Sequence, residues 1–140
     1  MCISVAYGDC LSDIDIQEMV ESHRRQQSLA TMAIAHPTGR NEILALNEQG
    51  CYIGTKQGKK QKHSWVNACS MVLEARTFDY LKENQKNHFV LSLMDCLAAH
   101  EPVQTYRHEG FWAPVETIRD KTLMENLWAQ HKAPWKVWED

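Results

Sequence analysis

No stretch of this 140-residue chain approaches the roughly 20 apolar residues that a bilayer-spanning helix needs. A membrane is therefore not among its expected partners. Basic residues are not in excess: 15 Lys and Arg stand against 18 Asp and Glu, a formal net charge of -3. With no cationic surplus to neutralise phosphates, nucleic acid is not expected as a partner either. The five cysteines contain no CxxC pair, and the seven histidines contain neither HxxxH nor HExxH. The spacing thus specifies no zinc ribbon, disulfide framework or helical metal site. Scattered cysteines of this kind read as reduced, mostly buried thiols, which points to the cytoplasm. The opening Met1-Cys2-Ile3-Ser4-Val5-Ala6 meets Gly8-Asp9 at once, so a signal peptide is not expected. No repeat, low-complexity tract or disorder-prone linker divides the chain, and a single domain over 1–140 is expected.

What is present has an ordinary globular balance, 44% hydrophobic and 24% charged, which is sufficient for a packed core. Ile3 to Tyr7 reads as a short strand ending at Gly8-Asp9. Ser12 then reads as a helix N-cap, with Asp13 and Asp15 in the first turn and Ile16, Met19, Val20 and His23 at helical spacing. Leu29 to Ala35 predicts a second strand, stopped by His36-Pro37-Thr38-Gly39. Glu42 to Leu46 and Gly50 to Gly54 predict a hairpin turning at Asn47-Glu48-Gln49. Trp65 to Leu73 is strand-like, Ala75 to Leu81 a short helix, and Phe89 to His100 a longer one with Val90, Leu93, Met94 and Leu97 on one face. Val103 to Tyr106 returns as a strand. Thr117 can cap a last helix carrying Leu123, Met124, Leu127 and Trp128, which Pro134 ends. The mixture predicts an α/β or α+β fold.

Few residues here carry chemistry by pattern. Asp9 follows a strand, and in open α/β sheets that rim is where ligands bind. A carboxylate there suits Mg²⁺, although Gly-Asp also serves as an ordinary turn. Tyr106 to Thr117 is the densest polar and aromatic stretch. His108 is a candidate base, Glu109 and Glu116 are carboxylates, and Trp112 is among the rings on which a sugar stacks. The same stretch also reads as a loop with core-packed aromatics. Lys56, Lys59, Lys60 and Lys62 form a loop with no acid between Glu48 and Glu74, either a phosphate clamp or a solvated face. Asn67, inside an apolar strand, needs partners: a sugar hydroxyl or a neighbouring backbone group. Trp128, Trp135 and Trp138 read as packing or interface residues. Cys10 and Cys69 lack a paired histidine and are weak candidates as nucleophiles.

Several of these segments fall into one order. Tyr7-Gly8-Asp9 with Ser12-Asp13, His36-Pro37-Thr38-Gly39-Arg40, Trp65-Val66-Asn67 and Phe78-Asp79-Tyr80 are followed by Tyr106-Arg107-His108-Glu109-Gly110-Phe111-Trp112. Pro114, Arg119-Asp120-Lys121, Leu127-Trp128 and Lys132-Ala133-Pro134-Trp135-Lys136-Val137-Trp138 complete the series. In this pattern the chain resembles the glucose-1-phosphate cytidylyltransferases of the nucleotide-sugar pyrophosphorylase superfamily, over a length matching the C-terminal half of their domain. The resemblance implies a partial Rossmann-like nucleotidyltransferase sheet of mixed strands with flanking helices. It also implies a chemistry: joining a sugar 1-phosphate to CTP, with Mg²⁺ and loss of pyrophosphate. By resemblance Asp9 matches the first metal aspartate, Glu116 stands where the second is found, Asn67 matches the sugar-contacting asparagine, and Lys56 the sugar-phosphate lysine.

The departures are equally specific. The family's opening Gly-Gly-x-Gly-Thr-Arg, which cradles the nucleotide triphosphate, does not occur in these 140 residues. Glu116 is one methylene longer than aspartate. Thr55 and Gln57 replace the Glu and Pro around the lysine, and Ala68 and Cys69 replace the glycines after the asparagine. No catalytic residue is therefore assigned. Two readings follow: a non-catalytic remnant that retains the sugar-phosphate half, or the active half of a split transferase moving CMP from CTP to glucose 1-phosphate. Either would expose a sheet edge, so a homodimer is expected.

Overall fold

The computed structural model describes residues 1–38, 42–59, 63–80 and 89–139. In chain order the elements are β1 (Cys2–Ala6), β2 (Cys10–Ser12), α1 (Ile16–Gln26), β3 (Ala30–Ala35), β4 (Ile43–Leu46), β5 (Tyr52–Lys56) and β6 (Val66–Glu74). A 3₁₀ segment (Ala75–Tyr80), α2 (Phe89–Ala98), β7 (Val103–Arg107), β8 (Trp112–Pro114) and α3 (Ile118–Ala129) follow. Gly39-Arg40, Lys60, Lys62 and Leu81 lie outside the described residues.

The sheet is organised by β3, whose six residues are all buried. A run apolar on both faces belongs in the middle of a covered sheet. Six strands lie in the order β1-β6-β3-β7-β5-β4. β6 runs antiparallel to both β1 and β3, whereas β7 runs parallel to β3. Alternation along β3 divides the core. Ala30, Met32 and Ile34 pack on one face with Tyr52, Met71 and, from α2, Leu93, Met94 and Leu97. Ala33 and Ala35 pack on the other face with Ile14, Met19 of α1, Val66, Val72 and Trp112. The architecture is a mixed α/β sheet with flanking helices, as the sequence implied. Among the described residues no helix is long and apolar enough to cross a membrane.

One local expectation is corrected. Ser12 does not cap α1. Cys10–Ser12 is a strand paired antiparallel with Trp112–Pro114, and Asp15 is the cap, its side chain accepting the Glu18 N–H at 2.9 Å. Long-range pairing has taken the segment that local propensity would give to the helix. Of the apolar residues that the last helix carries, Met124 is buried while Leu123 and Trp128 are exposed. Thr117 does cap it, in a reciprocal capping box with Asp120.

Candidate functional site

The site is shaped by an irregularity in β6. Met32 faces Met71 while Ile34 faces Asn67, so four steps along β6 stand opposite two along β3. The extra residues are accommodated at Cys69, whose φ of 63° lies in the left-handed region. An L-residue pays for that conformation unless neighbours hold it. Here they do: the Asn67 side-chain oxygen accepts the Cys69 N–H at 2.8 Å, and the Cys69 carbonyl accepts the Tyr7 N–H at 3.0 Å. The Trp112 indole N–H donates to the Ala68 carbonyl at 3.1 Å. The kink thus draws the end of β1 onto the start of β6. Asn67 completes the contact by donating to the Tyr7 hydroxyl at 3.4 Å.

Asp9 is exposed beyond β1, and its carbonyl accepts the Val115 N–H at 2.7 Å. This bond brings the chain before Glu116 alongside Asp9. Ligand atoms of Asp9, Cys10 and Cys69 lie within 4.8 Å of one another, and the Cys10 thiol donates to the Asp9 carboxylate at 3.5 Å. Contact with Cys69, then burial, then Asp9 push the Cys10 thiol far above its ordinary range. Burial likewise raises the Tyr7 phenol, against the opposing Asn67 bond. Glu116 is exposed and is not part of this donor group; its N–H donates to the Asp120 carboxylate at 3.2 Å.

The other candidates are placed differently. Trp112 is 5% exposed and belongs to the core cluster below the site. Lys56 is exposed at the end of β5, where it lines a cleft of about 420 Å³ with Leu46, Lys59, His63 and Trp65. Trp65 begins the segment that leads to Asn67. Its ring stacks on His36 at 4.2 Å and carries the Arg107 guanidinium 5.6 Å from its centroid. His36 also meets Glu109 at 3.0 Å. His108 meets Asp13 at 2.9 Å, packed so tightly that a Cβ on Gly110 would lie 2.6 Å from the Asp13 oxygen. Spacing in the sequence predicted neither the Asp13–His108 pair nor the meeting of Cys10 with Cys69. The available signal was position: Cys10 adjoins Asp9, and Cys69 stands two residues after Asn67.

Over 134 residues the chain is 33% identical to the glucose-1-phosphate cytidylyltransferase of Salmonella typhi, covering 95% of this chain and 51% of that protein. The Salmonella typhimurium enzyme of the same name is 31% identical over 133 residues, with the same coverage. Its curated relatives are glucose-1-phosphate cytidylyltransferases. The chain spans about half the length of these cytidylyltransferases. No protein-family model matches it. A crystal structure from Bacillus anthracis, described as a glucose-1-phosphate thymidylyltransferase in complex with sucrose, superposes with a TM-score of 0.75 at 16% identity. That match covers 99% of this chain and 57% of the other. The likeness establishes the fold, a mixed α/β sheet with flanking helices.

Proposed function

We propose that this chain is the sugar-phosphate-holding half of a cytidylyltransferase-like site and acts by binding, not by catalysing transfer on its own. The observation that carries this reading is the meeting of Tyr7, Asn67 and Asp9 around the Cys69 kink, on the rim where α/β sheets take ligands. Among the described residues the Asn67 amide donates only a long bond to Tyr7, leaving a donor for a sugar hydroxyl. Lys56 and Lys59, which line one cleft, supply point charges for the phosphate. Trp112 supports this floor from beneath instead of stacking on the sugar.

Magnesium is the cation that the relatives' chemistry implies, with Asp9 and Glu116 as its protein oxygens. The donors gathered at Asp9 do not fit it. Mg²⁺ demands oxygens in near-octahedral array, whereas among the described residues the His, Cys, Asp and Glu donors grouped with the Asp9 carboxylate are two sulfurs. No step through magnesium is derived. Neither is there a Gly-Gly-x-Gly-Thr-Arg triphosphate cradle in these 140 residues.

A second copy of the chain is the proposed partner. β1 and β4 are the sheet edges, and Ile118, Leu123, Trp128, Val137 and Trp138 are exposed. Free thiols at all five cysteines suit a reducing compartment such as the cytoplasm.

Thermal unfolding with and without glucose 1-phosphate tests the binding, since a ligand of the native state raises the melting temperature. A rise with wild type that Lys56→Ala diminishes is expected; no rise at any concentration contradicts the reading. Pyrophosphate release from CTP and glucose 1-phosphate with Mg²⁺ would instead identify the active half of a split transferase. Sedimentation should give a dimer, and a stable monomer at micromolar concentration removes the proposed self-association.

A further inference from the structure

We propose that Asp9, Cys10 and Cys69 form a site for a thiophilic divalent cation, with zinc as its best chemical fit. The three ligand atoms come from two segments far apart in sequence, yet lie within 4.8 Å of one another. A tetrahedral zinc with Zn–S about 2.3 Å and Zn–O about 2.0–2.2 Å sets a sulfur–oxygen edge of about 3.5 Å and a sulfur–sulfur edge of about 3.8 Å. The observed Cys10 Sγ to Asp9 Oδ1 separation is 3.5 Å. The cation therefore enters with little rearrangement of that edge.

The donors are also held in place. Both main-chain polar groups of Cys69 are bonded, its N–H donating to the Asn67 side-chain oxygen and its carbonyl accepting the Tyr7 N–H. Cys10 is fixed by pairing of β2 with β8 through Pro114. Two sulfurs and one carboxylate oxygen make a soft set that selects zinc over magnesium. Asp9 is exposed and both thiols are half-buried, so solvent reaches the site. Three protein ligands leave a fourth position for water or another ligand. On binding, each thiol loses its proton to solvent and both sulfurs ligate as thiolates. This proposal does not depend on the sugar-phosphate reading; the same residues that make Asp9 a poor magnesium ligand make it a good zinc one.

Cobalt(II) is the probe. The whole chain, reduced with a phosphine and stripped by a chelator, is titrated with Co²⁺. Expected are tetrahedral d–d absorption and a thiolate-to-cobalt charge-transfer band that saturate at one equivalent, are displaced by Zn²⁺ and persist in excess Mg²⁺. The charge-transfer band should be lost in the Cys10→Ser, Cys69→Ser double variant and survive in Cys51→Ser and Cys96→Ser. Cys69→Gly, which suits the left-handed backbone, guards against loss by misfolding and should also weaken the band. Absence of the band in wild type, its survival in the double variant, or recovery of Cys10 and Cys69 as a disulfide under the same reducing conditions overturns the proposal.

Discussion

Trp112→Phe separates a ring that builds the site from a ring that touches ligand. Trp112 is 5% exposed, and its indole N–H donates to the Ala68 carbonyl at 3.1 Å, in the stretch of β6 where the ladder to β3 is interrupted. Phenylalanine keeps an aromatic ring but removes the donor. A buried carbonyl left without its partner costs about 1–3 kcal/mol. The smaller ring adds roughly 1 kcal/mol of lost burial and packing. The sum, about 2–4 kcal/mol, is a large share of the 5–15 kcal/mol typical of a domain. Urea unfolding followed by far-UV circular dichroism should show a lower midpoint with the slope unchanged. A solvent-facing stacking ring gives the opposite pattern: stability within about 0.5 kcal/mol of wild type, as for surface substitutions, with weakened ligand binding. That result would refute the placement of Trp112 as support for the Ala68–Cys69 kink.

Four further outcomes follow from local geometry. Gly110→Ala would put a Cβ 2.6 Å from the Asp13 carboxylate and 2.8 Å from the His108 ring, parting that pair; a loss of about 1–3 kcal/mol in thermal unfolding is expected, and an unchanged melting temperature contradicts the packing. Thr117→Ala removes a capping-box hydroxyl and should lower stability by about 1 kcal/mol in urea titration. The Thr117 side chain, with the amides of Glu116 and Thr117, holds the Asp120 carboxyl below its ordinary range against desolvation. Its contribution is therefore fully present above the unfolded carboxyl pKa and is lost as pH falls through the depressed folded value; helicity of α3 that holds constant across that acid range speaks against the cap. Cys69→Gly relieves a left-handed backbone costing about 1–2 kcal/mol and returns about 0.5–1 kcal/mol of unfolded-chain freedom, so a net gain of up to about 1.5 kcal/mol is expected by urea unfolding. A clear loss means that the sulfur contributes more than the strain costs.

Much of the fold was legible because its signals are local. The apolar run before His36-Pro37, the turn at Asn47, the helical spacing of Leu93, Met94 and Leu97, and the Thr117 cap each depend on near neighbours, and each forms where expected. The Ser12 cap failed because Trp112–Pro114, about a hundred positions away, pairs with that segment. Trp112 looked like a sugar platform because the sequence shows its type and company but not which face it turns to the core. Of the candidate site residues, Asp9 and Asn67 stood out by pattern and lie around one kink, whereas Glu116 lies outside the Asp9–Cys10–Cys69 donor group. The pairing of Cys10 with Cys69 depends on an irregular strand, and no spacing rule encodes that.

Calorimetric titration of glucose 1-phosphate into the wild-type chain and into Asn67→Asp most directly tests the sugar-phosphate role. The substitution keeps an acceptor for the Cys69 N–H and removes the amide donor, so the kink stays while the proposed sugar contact goes. Saturable heat in wild type, greatly weakened in Asn67→Asp at an unchanged melting temperature, is the predicted result. No heat in wild type, or equal affinity in the two proteins, would contradict it.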